Sequence, residues 1–359
     1  MTDSQRSPFP ELNKESSTIR PPPLQLDSPA VIELTQKLLL SISPRVKHVP
    51  VLPGATDNSA RIAILFSGGL DCTMLARLVH NLLPEECEVD LLNVAFENPR
   101  VIKAAGTNAS QLDSSASSPY SVCPDRKTGL SSHAELLRVC PGRTWRFVGI
   151  DIPYSETLAH RAQIISLIHP HNTEMDLSIA CALYFAARGR GMVRNSVTGA
   201  IVPYVTPARV LLSGLGADEL FAGYTRHAIA FNRRGYQGLL AELELDFLRL
   251  GKRNLGRDDR VISHWGREAR YPYLDEDLVS WALERRVWEK CGFGETVVSE
   301  TGLAGDDGPV LEPGKKILRL VAWKLGMENV AIEKKRAIQF GARTAKMGFG
   351  RVKGTDRLS

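Results

Sequence analysis

Two stretches carry residues whose types and spacing can do chemistry. The first is Ser67-Gly68-Gly69-Leu70-Asp71-Cys72-Thr73. Adjacent glycines let the backbone turn so that its N–H groups face one point. A helix starting there adds its N-terminal dipole and unpaired donors, and Ser67 adds a hydroxyl. Such a loop cradles phosphate. Asp71 would repel phosphate on its own, but it fits if it holds Mg²⁺, which bridges carboxylate and phosphate oxygens. The G-x-x-x-x-G-K-[ST] spacing of a Walker A loop is absent. The plainer alternative is a glycine-rich turn capped by Ser67 and Asp71.

The second stretch is Ser213-Gly214-Leu215-Gly216-Ala217-Asp218-Glu219-Leu220-Phe221-Ala222-Gly223-Tyr224. It carries three glycines and sets two adjacent acids at a helix start. Two loops at strand ends of a parallel sheet can face each other across the crevice where ligands bind. Asp71 and Asp218 could then share one Mg²⁺. A basic run follows late in the chain: Lys334, Lys335, Arg336, Arg343, Lys346, Arg351 and Lys353. It reads either as a solvated tail or as the source of a cation that meets phosphate.

The elements that must position these residues alternate. Apolar runs at 61–66, 89–96, 145–150 and 210–212 predict buried parallel strands. Helical spacing predicts helices at 31–40, 71–83, 155–168, 176–188, 239–250, 274–289 and 315–325. The stretch 104–120, rich in Ser, Ala and Asn, reads as a loop or insertion. This alternation predicts an α/β fold with a doubly wound parallel sheet and a helical C-terminal layer. Residues 1–28, with Pro21-Pro22-Pro23, read as a disordered lead-in, 29–347 as the domain, and 348–359 as a basic tail.

The chain has 359 residues, 43% of them hydrophobic and 24% charged. A core of that size closes without disulfides or metals. The net charge of +5 is too modest to suggest a nucleic-acid surface. Six scattered cysteines form no C-x-x-C pair, which suits a reducing compartment. No apolar run reaches the roughly 18 residues of a membrane span, and the N-terminus lacks the plan of a signal peptide. A cytoplasmic protein with no membrane partner is expected.

The first stretch resembles the S-G-G-x-D-S pyrophosphate loop of the N-type ATP pyrophosphatases, with Cys72 where that pattern has Ser. A thiol is a poorer donor than a hydroxyl. Binding weakens if the side chain touches pyrophosphate and changes little if only the N–H does. The second stretch resembles the S-G-x-G-[AS]-D-E-x-x-x-G-Y pattern of asparagine synthetases. Three later segments agree with that family in order. They are Arg267-Glu268-Ala269-Arg270-Tyr271-Pro272-Tyr273-Leu274-Asp275, Lys316-Ile317-Leu318-Arg319, and Lys335-Arg336-Ala337-Ile338-Gln339-Phe340-Gly341. The resemblance covers roughly residues 55–347. Its wording at 123–129, 175–179 and 339–343 is nearest to the eukaryotic asparagine synthetase domain-containing proteins.

The resemblance implies a PP-loop fold and an ATP-dependent ligase of asparagine biosynthesis using ATP and Mg²⁺. A carboxylate, that of aspartate, attacks the α-phosphorus and pyrophosphate leaves. Ammonia then displaces AMP from the acyl-adenylate. By the same resemblance Ser67, Gly68, Gly69, Leu70 and Asp71 hold the phosphates, and Asp71, Asp218 and Glu219 are candidate metal ligands. Lys335 is the catalytic cation, with Lys334 as its rival. Leu65 and Val94 flank adenine, and Ser213 and Gly214 touch the nucleotide through backbone groups. Glu268 orients the nucleophile or substrate, or else forms a salt bridge with Arg267 or Arg270.

Two departures bear on activity. The glutamine-dependent synthetases begin with a hydrolase domain whose N-terminal Cys attacks glutamine. Here Thr2 follows Met1, and the residues ahead of the first strand are too few for another domain. Free ammonia, a glutaminase-bearing partner or a longer gene product is the implied nitrogen source. Many active synthetases also carry Glu at the third position of S-G-x-G, where this chain has Leu215. Loss of a general base costs about 10²- to 10⁴-fold. A nucleotide-binding pseudoenzyme with a scaffold or regulatory role is therefore the alternative, opposed by the intact Asp71, Asp218, Glu219 and Lys335. A tRNA-modifying pyrophosphatase shares the first motif but would need a more basic surface.

Overall fold

The structure is a computed structural model that describes residues 9–17, 21–51, 54, 56, 58–107, 118–195, 198–295, 311–345, 347 and 353–358. The chain folds as two compact units, each discontinuous in sequence. One comprises Met1–Arg45, Gly214–Leu250 and Tyr271–Lys335, and the other Val46–Ser213, Gly251–Arg270 and Arg336–Ser359. The segment 29–347, expected as one domain, contributes to both units. The boundary was invisible to composition because both units are assembled from separated segments.

The second unit contains the sheet. Its strands are β1 (Ile62–Leu65), β2 (Val89–Phe96), β3 (Trp145–Ile152), β4 (Arg190–Arg194), β5 (Ile201–Val205), β6 (Val210–Leu212) and β7 (Glu268–Arg270). Their spatial order is β5-β4-β3-β2-β1-β6-β7. The strands from β3 to β7 in that order pair in parallel. β4 and β5 form an antiparallel ribbon on the β3 edge. The chain runs outward through β1, β2 and β3, then returns to the far side of β1 as β6. The direction of winding therefore switches between β1 and β6, where open α/β sheets place their ligand crevice.

All eight residues of β2 are buried, as a strand covered on both faces must be. Leu92, Val94 and Phe96 join Val148 and Ile150 in a core completed by the helix Glu174–Arg188. The alternate residues of β2 face the helix Pro124–Val139, with Asn93 hydrogen-bonded to Asp125. That helix was not anticipated, and neither were β4, β5 and β7. The ribbon is exposed, charged at Arg190 and Arg194, and carries Pro203, which only an edge strand tolerates. Residues 99–107, partly assigned to a loop, form the helix Pro99–Thr107. The remainder of that loop, 108–117, lies outside the described residues, as do 348–352 of the basic tail.

The first unit is helical. The helix Pro29–Lys47 buries Val31, Leu34, Leu38 and Ile42 along one face. It is pinned by Trp281 donating to Glu33 and by the Arg45–Asp275 ion pair. The residues described before it are not a free lead-in. Asn13 donates from its backbone to Leu283 and from its side chain to Glu284. Phe9 meets Phe247 edge-on at 5.8 Å, and Leu24 is buried. A few apolar residues in a polar stretch are enough to fasten it.

Candidate active site

In the sheet unit, β1 ends at Leu65 and the glycine-rich turn follows. Gly68 has φ +82°, and a Cβ there would lie 2.4 Å from the Gly129 nitrogen. Only glycine fits, because the turn is pressed against the helix Pro124–Val139. Gly69 is the residue before the helix Leu70–His80, whose first turn carries a half-buried Asp71. The Gly69 N–H meets Ser67 Oγ at 3.4 Å. The turn thus carries the parts that a phosphate cradle uses: backbone amides, a hydroxyl and a helix N-terminus.

Cys72 packs against the inner side of that turn. Its buried thiol donates back to the Gly69 carbonyl at 3.3 Å and lies 3.6 Å from Ser67 Oγ. Burial pushes the thiol pKa up, against the Ser67 hydrogen bond that lowers it. The substitution of Ser by Cys thus falls on an inward-facing side chain and leaves the backbone donors in place.

A second layer holds the cradle rigid. Asn93 on β2 donates to the Phe66 carbonyl and to the Asp125 carbonyl, each at 2.9 Å, and accepts from Arg126 Nε at 2.7 Å. Ser132 donates to the Gly68 carbonyl at 2.6 Å. Arg126 is itself tied to Asp151 at 2.7 Å. These roles were not read from the sequence, although the 123–129 segment that supplies two of these residues stood out in it. The missing signal is tertiary, since Asn93 and Ser132 are unremarkable until the strand and helix meet.

In the helical unit, the Asp218-Glu219 pair lies on the short helix Ala217–Leu220 after Gly216, which has φ +104°. Lys315 Nζ lies 2.7 Å from Asp218 Oδ1, and Lys335 pairs with Asp218 Oδ2. Burial alone would raise the Asp218 carboxyl pKa. Lys315 and then Lys335 outweigh it and hold that carboxyl well below the usual carboxylate range. Gly223 is obligatory here, as a Cβ would lie 2.0 Å from Lys315 Cε and 2.1 Å from Asp218 Oδ1. Lys315 was not anticipated. Its residue has left-handed φ +58° and its N–H donates to the Phe221 carbonyl, which brings it under the acid. Lys334 and Lys335 are both exposed residues, and of the two rivals Lys335 is the one that pairs with Asp218.

Glu219 is buried, and burial followed by the Asp218 charge pushes its carboxyl pKa up. Its Oε1 accepts from Tyr224 Oη at 2.6 Å, while Oε2 has no partner among the described residues. Glu219 also forms part of the wall of a cavity of about 210 Å³ with Leu12, Leu243, Phe247 and Lys290. An orphaned, buried carboxylate oxygen beside a second carboxylate fits a hard divalent cation. No group of three His, Cys, Asp or Glu side chains able to hold a metal occurs among the described residues. Phosphate oxygens and water would complete such a site, as Mg²⁺ sites commonly require.

The other expected residues fall as follows. Leu65 is opposite Leu92 in register and Val94 is two residues further on, so Leu65 and Val94 share one face near the carboxyl end of the strands. Ser213 lies at the end of β6, but its N–H is committed to the Arg270 carbonyl at 3.0 Å. Gly214 follows as the first residue of the helical unit in that part of the chain. Glu268 is 61% exposed and paired with Arg270 at 2.8 Å. Through Val210 it aligns with Ile62, the first residue of β1, whereas the cradle follows the last. The structure does not bring Glu268 to the cradle.

The asparagine synthase family model matches residues 205–244 and 233–341. Asparagine synthetase domain-containing protein 1 of Gallus gallus is 40% identical over 321 residues, covering 82% of this chain and 47% of that protein. An asparagine synthetase domain-containing protein of Saccharomyces cerevisiae is 38% identical over 326 residues, 89% of this chain and 54% of that one. The chain belongs to the asparagine synthase family. A putative glutamine-hydrolyzing asparagine synthetase of Methanocaldococcus jannaschii is 36% identical over 153 residues, 39% of this chain and 28% of that protein. The chain spans about half the length of the curated relatives it matches.

Proposed function

We propose that the chain is an ATP-dependent amide-forming ligase that activates the side-chain carboxylate of aspartate as an acyl-adenylate and passes it to ammonia. The observation that carries this reading is Asp218 held between Lys315 and Lys335. Negative charge builds on departing pyrophosphate, and cations set in place beforehand stabilise it without reorganisation. In the free protein Asp218 pairs with both ammonium groups, the buried Lys315 and the more exposed Lys335. When phosphate arrives, the lysines exchange one anionic partner for another.

The backbone N–H groups of Gly68, Gly69 and Leu70 and the Ser67 hydroxyl hold the phosphates. By the family resemblance Leu65 and Val94 flank adenine, and the nucleotide meets backbone groups of Gly214 and of Ser213, whose N–H already serves Arg270. By the family resemblance Asp71 in the sheet unit, and Asp218 and Glu219 in the helical unit, are each candidate ligands of Mg²⁺. Bound there, the ion would neutralise phosphate oxygens as a Lewis acid. Nitrogen comes as ammonia, free or from a glutaminase-bearing partner. Six unpaired cysteines fit the cytoplasm.

Leu215, where the family pattern carries Glu, favours a second reading in which nucleotide binds but no amide forms. The test is pyrophosphate release from ATP and Mg²⁺, with and without aspartate and ammonia, beside Asp71→Ala. Aspartate-dependent release that disappears in the variant, with asparagine among the products, is the expected result. ATP bound without release would transfer the case to the pseudoenzyme.

A further inference from the structure

We infer that Asp246 and His227 are positioning residues for the centre formed by Asp218, Glu219 and Lys335, and that they act through Tyr224. Tyr224 reaches two members of that centre. Its hydroxyl donates to Glu219 at 2.6 Å, and its ring lies 5.5 Å from Lys335 Nζ, within the reach of a cation–π contact. Whatever fixes this ring fixes the Glu219 carboxylate and one wall of the Lys335 site.

Tyr224 is held from two directions that converge on one carboxylate oxygen. On the backbone side, the Tyr224 N–H donates to His227 Nδ1 at 3.2 Å. A ring nitrogen that accepts carries no proton, so the proton sits on Nε2. Nε2 then donates to Asp246 Oδ2 at 2.8 Å. On the ring side, Arg226 Nε donates to the same Oδ2 at 2.8 Å, and its guanidinium carbon stacks 3.9 Å from the Tyr224 ring centroid. His227 is fully buried and Asp246 is 6% exposed.

The arrangement needs a broken helix. His227 and Asp246 are 19 residues apart in the single helical span Thr225–Leu250. On a straight helix at 1.5 Å per residue they would be about 28 Å apart. The span breaks at Arg234 and Gly235, the latter with φ +58° and ψ −149°, so the chain folds back on itself. A Cβ on Gly238 would lie 2.5 Å from the Ala230 carbonyl, so the two arms pack as closely as backbone allows.

A purely local account exists. His227 is the third residue of the helix and accepts from the N–H of Tyr224, the residue before the helix, which is one half of a capping box. Capping alone would not require Asp246, nor a guanidinium shared between that carboxylate and the Tyr224 ring. The kinetic part of the test rests on the ligase reading, while the spectroscopic part does not.

The experiment uses the full chain with Asp246→Ala, Asp246→Asn and His227→Gln. With ¹⁵N-labelled histidine, and His227→Gln to identify the resonance, Nδ1 should be bare and Nε2 protonated. In Asp246→Ala the Nε2–H should lose its hydrogen-bonded shift. In pyrophosphate release, Asp246→Ala should lower kcat by about 10- to 100-fold, the scale of a small misplacement of reacting groups. KM for ATP should stay within about twofold, and Asp246→Asn, which still accepts from Nε2, should recover most of the rate. The opposite tautomer would overturn the inference whatever the activity. So would an unchanged kcat per folded molecule in both Asp246 variants. If the wild type releases no pyrophosphate the ligase reading fails, and the imidazole signals alone decide the positioning.

Discussion

Four residues carry the tests of the candidate site. Cys72 turns its thiol to the Gly69 carbonyl, a bond that a serine hydroxyl can also make. Cys72→Ser should therefore leave kcat/KM for ATP within about threefold, since no ligand contact is gained or lost. A larger gain would mean that the side chain at 72 reaches the phosphates. Gly68→Ala combines a positive φ with a 2.4 Å approach to Gly129. It should cost about 1–3 kcal/mol from backbone strain, before the clash is counted, read as a lower urea midpoint. Lys335→Ala should reduce kcat for pyrophosphate release by about 10²-fold, the usual loss on removing one preorganised charge-stabilising group. Lys315→Ala should act similarly and also destabilise the fold, because that lysine is 3% exposed and pairs with a buried acid. The resemblance singled out Lys335 in advance. It could not single out Lys315, whose approach depends on a left-handed backbone and on the absence of a side chain at Gly223.

At the scale of elements, the helix Pro124–Val139 braces the cradle through Ser132, Arg126 and the bare surface of Gly129. Its glycine and serines blur the apolar period, so it was not legible, whereas β1 and β6 were, being continuous apolar runs, as were β2 and β3, which are mainly apolar. The span Thr225–Leu250 was foreseen only in its second arm, because the break at Gly235 interrupts the pattern. Lys290, in the turn after residues 287–289, offers a test of the helical unit. Its ammonium is buried and donates to the Ala282 carbonyl, and burial pushes its pKa down to about 8. Below that value the lysine is charged in both states, and the cost of burying the charge is present in full. From about 8 up to the ordinary 10.5, the unfolded chain holds a proton that the folded chain has released. Stability should rise with pH across that window. Lys290→Met removes the titrating group. Urea midpoints from pH 7 to 10 should therefore show the wild type gaining on the variant. A difference independent of pH would contradict the burial argument.

Across the whole molecule, the α/β class and the carboxyl-end position of the first glycine-rich loop were legible, because they follow from alternating patterns and a strand-to-helix turn. The division into two units was not. One boundary falls between Ser213 and Gly214, inside the second motif, and another between Lys335 and Arg336. Segments distant in sequence build each unit, so no composition shift marks the junctions. The relatives are about twice as long as this chain, so nitrogen supply is a question for the whole protein. Carboxylate activation is a question this chain can answer.

The most direct test follows the oxygen atoms. If the aspartate carboxylate attacks the α-phosphorus and ammonia then displaces AMP, the carbon–oxygen bond broken in the second step leaves one carboxylate oxygen on phosphorus. With aspartate labelled by ¹⁸O in the side-chain carboxylate, together with ATP, Mg²⁺ and ammonia, the account predicts AMP carrying one ¹⁸O atom, formed alongside pyrophosphate. Unlabelled AMP, or ADP with the label in orthophosphate, would contradict it.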